Sequence, residues 1–294
     1  MNNQEFAQFI TAKSTYISDG ATGSNLQHRG LERGSAPETW LFENPQAIRQ
    51  LHTDFINAGS DMILTCSFGG NRFRLEHSGM ADKVVDVNNK AVQIAREAIN
   101  DKNVLLAGSM GPLGQMLKPM GLLELDDAKS AYAEQAQILS KAGVDLLLIE
   151  TQFDLQEARA AYEGARSVSD LAIIISFSFD RGTKTMMGVS PTKMVKGLGD
   201  LDVAAFGINC GKSLEDNLSC LQELRSSTDK PIWFKPNAGL PKVDELGNAV
   251  YSTSPTDMAA CVPDWIAGGA NIIGGCCGTS PEHLSAIAAA IRAK

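Results

Sequence analysis

No stretch of this chain approaches the roughly 20 consecutive apolar residues that a membrane-spanning helix needs. Its first residues, MNNQEFAQFITAKST, carry acid and polar groups and lack the continuous apolar segment of a secretory signal. Basic charge is scarce as well: 26 Lys and Arg stand against 34 Asp and Glu, a formal net charge of −8, and no basic run offers a local exception. Nucleic-acid binding, which concentrates Lys and Arg against phosphates, is therefore set aside. The six cysteines include no CxxC pair, so no local spacing rule marks a metal ribbon or a redox motif. The expected home is the cytoplasm, where these thiols stay reduced and are candidates for metal binding or catalysis before disulfides.

What is present is the composition of a globular protein, 44% hydrophobic and 20% charged. The recurring pattern is an amphipathic helix ending in glycine, a polar residue, then a short apolar strand. Ala58-Gly59-Ser60-Asp61 precedes MILT, Ala142-Gly143-Val144-Asp145 precedes LLLIE, and Gly268-Gly269-Ala270-Asn271 precedes IIGG. Glycine supplies the left-handed residue that caps a helix. Gly59 and Gly143 are 84 apart (143 − 59) and Gly143 and Gly269 are 126 apart (269 − 143), two and three multiples of 42, as a repeating βα unit requires.

Buried strands are expected at Tyr16–Ser18, Met62–Thr65, Val104–Ser109, Leu146–Glu150, Ala172–Phe179, Ala204–Asn209, Ile232–Lys235 and Asn271–Gly274. Helical periodicity is expected at Pro45–Ala58, Lys83–Ile99, Asp126–Ala142, Leu155–Val168, Leu214–Ser226, Pro255–Ala267 and Pro281–Arg292. Continuous Ile, Leu and Val runs suit parallel strands covered on both faces. Eight such units favour a closed (β/α)₈ TIM barrel, a single α/β domain over residues 1–294, above an open doubly wound sheet.

A barrel puts its chemistry at the C-terminal ends of the strands. Cys210 ends the sixth strand and Cys276-Cys277 follow the eighth, while Cys220 and Cys261 fall in helical patterns and read as core fillers. Strands six and eight are next-nearest neighbours, so their thiols can converge on one cation at metal–sulfur distances of about 2.3 Å. Three thiolates suit Zn²⁺, with a fourth position open to substrate, and a soft centre of this kind accepts another sulfur. The plain alternatives are three cysteines that merely share the barrel mouth, or a redox pair at 276 and 277. Glycines 274, 275 and 278 let the backbone leave strand geometry, without which adjacent side chains point to opposite faces. Cys66 ends the second strand and is read as a free thiol.

The first strand runs into Asp19-Gly20-Ala21-Thr22-Gly23, whose backbone N–H groups are suited to a carboxylate and whose Asp19 is suited to an ammonium; a plain tight turn is the alternative. Glu150 ends the LLLIE strand inside the mouth and needs a partner, either an amino-acid ammonium or a structural Arg. Together these features point to a pocket for an amino acid bearing a thiol.

The segments DGATGSNL (19–26), SFGGNRFRL (67–75), IETQFD (149–154), GINC (207–210), PNAGLP (236–241) and GGCCGTSPEH (274–283) resemble the zinc-dependent homocysteine S-methyltransferase family, over nearly the whole chain. That family includes the homocysteine module of cobalamin-dependent methionine synthase and the betaine-homocysteine methyltransferases. The resemblance implies a (β/α)₈ barrel, one zinc on Cys210, Cys276 and Cys277, and the homocysteine thiolate as fourth ligand. It implies contacts from Asp19 and Glu150 to the homocysteine amino group, and from the loop of Gly20, Ala21 and Thr22 to its carboxylate. Asn237 resembles a residue beside the zinc that takes the open position in the empty enzyme. Cys66 departs from the Asn that methionine-synthase relatives often carry.

The methyl donor is less constrained. The four histidines, 28, 52, 77 and 283, fit no Asp-x-His-x-x-Gly cobalamin signature. Two routes stay open: direct transfer from a small onium compound such as betaine, S-methylmethionine or another sulfonium, or methylcobalamin carried by a separate corrinoid protein. SFDRGTKTMMGVSP (178–191) is similar to short bacterial betaine-type enzymes and favours the direct route. Phe68, Phe73, Phe153 and Phe179 are candidates to face a cation, though each also reads as a packing residue. The stretch MGPLGQMLKPMGLLEL (110–125) is expected to close over homocysteine as a lid or to form the donor surface. A non-catalytic zinc- or thiol-binding protein is the rival function.

Overall fold

The structure is a computed structural model that describes residues 1–243 and 249–293; residues 244–248 and Lys294, part of the expected 1–294 domain, lie outside the described residues. Eight parallel strands form one sheet: β1 (Tyr16–Ile17), β2 (Met62–Leu64), β3 (Leu105–Met110), β4 (Leu146–Gln152), β5 (Ile173–Phe177), β6 (Ala205–Cys210), β7 (Ile232–Pro236) and β10 (Ile272–Ile273). A separate antiparallel hairpin of β8 (Pro241–Val243) and β9 (Ala249–Tyr251) rises from the loop after β7. The sheet order is β1-β10-β7-β6-β5-β4-β3-β2, the order of a (β/α)₈ barrel.

The two end strands, β1 and β2, are only two and three residues long and share no ladder. Aspartate side chains close that seam. The Ile17 N–H donates to Asp61 Oδ2 at 2.9 Å, and the Leu64 N–H donates to Asp19 Oδ2 at 2.8 Å. A carboxylate thus accepts the strand N–H that would otherwise be buried without a partner.

Each strand serves two cores because side chains alternate across it. Leu147 and Ile149 of β4 pack in the layer between sheet and helices, whereas Leu146 and Leu148 point into the barrel with Met62, Ile174 and Trp233. The helix Asn3–Ile10, absent from the expected elements, closes the N-terminal end of the barrel by adding Phe6 and Ile10 to the interior cluster. Its two turns carry only two core contacts, too few for helical periodicity to stand out; its capping box of Asn2 and Glu5 is the signal that marks it.

The expected helices Pro45–Ala58, Pro255–Ala267 and Pro281–Arg292 are present with those bounds, each with proline in its first turn. Gly59, Gly143 and Gly269 have φ of 109°, 99° and 94°, the left-handed caps that the repeat required. Helix Pro191–Leu198 after β5 was not among the expected elements; it is short, and its Gly197 lies against Leu155, where a Cβ would come within 3.0 Å of a methyl carbon. No helix among the described residues is long and apolar enough to cross a membrane.

Candidate metal centre and substrate cavity

β6 and β10 flank β7 in the sheet, and this brings Cys210 to the Cys276-Cys277 pair. Cys210 Sγ lies 3.0 Å from Cys276 Sγ, and the three sulfurs all lie within 4.8 Å of one another. The backbone leaves strand geometry at Gly274 and is stitched to the end of β7: the Cys276 N–H donates to Pro236 O at 2.9 Å, and the Ala238 N–H to Cys277 O at 2.9 Å. The hydroxyl of Thr279 donates back to Cys276 O at 2.6 Å. Gly278, at φ 82°, completes the turn; a Cβ there would sit 2.1 Å from the Tyr251 ring, so only glycine lets that ring cover the cysteines.

Asn209, fully buried, organises the facing side. Its Nδ2 donates to Thr151 Oγ1 at 2.7 Å and lies 3.7 Å from Cys210 Sγ and 3.9 Å from Cys276 Sγ. Its Oδ1 accepts from the Thr151 N–H at 2.9 Å and from Ser176 Oγ at 2.6 Å. Thr151 and Cys210 both adopt left-handed backbone, at φ 60° and 61°, a conformation non-glycine residues adopt at a cost. Hydrogen bonds from Cys210 and Cys276, with a further one from Tyr251, pull the Cys277 thiol well below the usual thiol range. The same exchange pushes Cys210 well above it. Three soft sulfurs sharing protons and N–H donors fit a thiophilic divalent cation, a description consistent with zinc.

The sulfurs open on a cavity of about 600 Å³ that also takes in Gly20–Ser24, Glu38, Cys66, Phe68, Ser109, Glu150, Thr151 and Lys235. Glu150 is 7% exposed and accepts from Ser109 Oγ at 2.5 Å. Burial pushes its carboxyl up to about 7, against the lowering pull of Lys235. Among the described residues the hydrogen-bond partner of Glu150 is Ser109, not an arginine. Asp19 is placed differently from a free ammonium acceptor: Oδ1 accepts from Lys235 Nζ at 2.5 Å and Oδ2 from the Leu64 N–H. Gly20, Ala21 and Thr22 do line the cavity, with the Ala21 N–H donating to Thr279, and no side chain caps the short helix Gly23–His28 that follows.

Asn237 donates through Nδ2 to Gly211 O at 2.9 Å, and its buried Oδ1 has no partner among the described residues, though Asn237 does not line the cavity. Cys66 is 3% exposed, and burial, followed by the charge of Glu38, pushes its thiol well above the usual range. Of the four phenylalanines singled out from sequence, Phe68 alone lines the cavity; Phe179 is wholly buried. No residue of the 110–125 stretch lines it either. The base of that stretch is pinned, because Glu157 Oε1 accepts from the Leu113 N–H at 2.7 Å and from Tyr132 OH at 2.9 Å. In this structure the stretch does not line the cavity.

Three residues escaped the sequence reading. Lys235 carried a signal, a lone charge ending the apolar strand IWFK; Asn209 and Tyr251 carried none, because their roles rest on partners 58 and 26 positions away.

A barrel whose mouth gathers three thiols beside a buried carboxylate offers a set of ligands that could hold a metal ion. The chain belongs to the homocysteine S-methyltransferase family, matched over residues 16–291. Methionine synthase from Mycobacterium leprae is 30% identical over 95% of this chain and 24% of that protein, and the Mycobacterium tuberculosis methionine synthase is 29% identical over 96% and 25%. The chain thus spans about a quarter of the length of the curated relatives it matches. The homocysteine methyltransferase MmuM from Escherichia coli, in its metallated form, superposes with a TM-score of 0.81 at 26% identity, over 96% of this chain and 98% of that one.

Proposed function

We propose that the protein moves a methyl group from a small onium donor to the sulfur of homocysteine, yielding methionine, with one zinc held by Cys210, Cys276 and Cys277. The observation that carries this reading is the convergence of three sulfurs with a buried carboxylate, Glu150, on one cavity. A free thiol of pKa about 8.5 is only a few per cent ionised at neutral pH, so full ionisation is worth roughly thirtyfold in nucleophile, about 2 kcal/mol. Zinc at these cysteines would supply that ionisation and fix the sulfur in place.

The chain's own groups do the rest. Glu150 accepts the substrate ammonium, the turn of Gly20, Ala21 and Thr22 holds its carboxylate, and Asn209 holds Thr151 and Cys210 in register. Sulfur donates its lone pair to the methyl carbon, the carbon–onium bond breaks, and the donor leaves as a neutral amine or sulfide. A cationic donor is supported by Glu38, a buried carboxylate on the cavity wall, and by the ring of Phe68. The expected cytoplasmic setting agrees with reduced thiols.

The test is to incubate zinc-loaded protein with L-homocysteine and, separately, betaine, S-methylmethionine, another sulfonium and methylcobalamin, and to quantify methionine. Product from methylcobalamin alone replaces the onium donor with a corrinoid one. Product from none of them leaves a binding protein.

A further inference from the structure

The carboxylates available to a substrate ammonium are set by a residue that no sequence motif marked. Lys235, next to last in β7, lines the cavity with its side chain 3% exposed, and its Nζ lies 2.5 Å from Asp19 Oδ1, whose side chain is 2% exposed. The other Asp19 oxygen accepts the Leu64 N–H across the barrel seam. Asp19 is thus fully engaged by the protein itself. Glu150 lines the same cavity and accepts one hydrogen bond, from Ser109. Its charge acts on Lys235 too: burial draws the lysine down, but Asp19 and Glu150 outweigh it and hold the ammonium protonated.

Charge counting gives the consequence. With Glu150 ionised, Asp19, Glu150 and Lys235 carry one net negative charge, and an unpaired buried charge is costly until a counter-ion reaches it. One incoming cation neutralises this trio. Without Lys235 two carboxylates would compete for one ammonium; without Asp19 the lysine would turn to Glu150 and exclude the ammonium.

We propose that Lys235 is a positioning residue that occupies Asp19 and so leaves Glu150, of these two carboxylates, as the acceptor for the substrate ammonium, favouring thiols that bring a cationic amino group. The inference rests on the homocysteine reading and deepens it. Lys235 selects the substrate without touching the sulfur.

The experiment measures dissociation constants by calorimetry on zinc-loaded protein, for L-homocysteine and for 4-sulfanylbutanoate, which is homocysteine without its amino group. Wild-type protein prefers homocysteine by about 10- to 100-fold, the ratio a charge-assisted hydrogen bond to a buried carboxylate commands. Asp19→Asn keeps an oxygen for the Leu64 N–H but frees Lys235 to pair with Glu150, and the ratio falls toward one. Adding Lys235→Met to Asp19→Asn restores the single negative charge, and the preference returns. A merely structural lysine predicts the opposite, a double variant at least as impaired as the single one. Should that double variant fail to fold, Asp19→Asn with Lys235→Gln has the same charge count and keeps a polar side chain. Wild-type preference retained in Asp19→Asn, or a folded, zinc-replete double variant without preference, overturns the role of Lys235. Wild-type protein that binds neither thiol overturns the homocysteine reading itself, and this inference with it.

Discussion

Asn209 and Thr151 hold one another by two reciprocal hydrogen bonds, side chain to side chain at 2.7 Å and backbone N–H to side-chain oxygen at 2.9 Å. The pair joins the end of β4 to the end of β6, so the strand that delivers Glu150 and the strand that delivers Cys210 are set by one amide. Asn209→Ala removes the partner of the Thr151 N–H and of Ser176 Oγ, and leaves two left-handed residues without support. We expect a loss on the order of 3 kcal/mol in denaturant melts, from buried groups left unpaired. Zinc affinity, read by competition with a chromogenic chelator, falls in parallel; an Asn209→Ala protein with wild-type affinity removes Asn209 from the support of the thiols.

The cysteines separate by role. Cys210→Ala, Cys276→Ala and Cys277→Ala are each expected to lose bound zinc in metal analysis of purified protein, whereas Cys66→Ala, whose sulfur is not one of the three, retains it. Because the metal binds only the folded arrangement, its removal by chelator lowers the melting temperature. At free zinc 1,000 times the dissociation constant the linkage amounts to about 4 kcal/mol. Zinc retained in full by Cys210→Ala contradicts the ligand assignment.

Glu150 gives a pH signature. Its carboxyl stands at about 7 in the fold against 4.5 unperturbed, because burial disfavours its charge. The unfolded chain releases that proton first, so between these two values it binds fewer protons and stability falls as pH rises. The stabilisation present below 4.5 is lost as pH rises through about 7, at most roughly 3 kcal/mol at 1.36 kcal/mol per unit. Glu150→Gln, neutral at every pH, should flatten this decline and melt higher than wild type at pH 8, while binding homocysteine more weakly. A wild-type melting profile that is level from pH 4.5 to 7.5 rejects the assignment.

Phe6 closes the barrel far from the cavity. It is wholly buried in the interior cluster with Trp233 and Met62. Phe6→Ala is expected to cost about 3–5 kcal/mol, the range for emptying a buried aromatic site. Its effect on the homocysteine dissociation constant should be small, and a large one would mean that the plug transmits to the mouth.

Much of the fold was legible. The strands were readable because a parallel strand covered on both faces must be apolar throughout, as in Leu146–Ile149, and the helix starts because proline and an N-cap announce them at Pro45, Pro255 and Pro281. The thiol cluster was readable once the sixth and eighth strands were counted, since barrel closure leaves little choice about which ends meet. The anchoring of the 110–125 stretch was not legible: glycine, proline and methionine there describe a long loop but say nothing about Glu157, which ties its base down.

The strands and the candidate sulfurs were legible in the sequence, because hydrophobic period and chain connectivity are local properties and eight βα units favour one closed arrangement over an open sheet. What the tertiary structure decided is which carboxylate stays free. Asp19 and Glu150 look alike along the chain, each ending an apolar strand, and only the fold brings Lys235, 216 residues from Asp19, to one of them. A buried ion pair takes its partners from space rather than from spacing, so the charge left over for a substrate is not written in any segment.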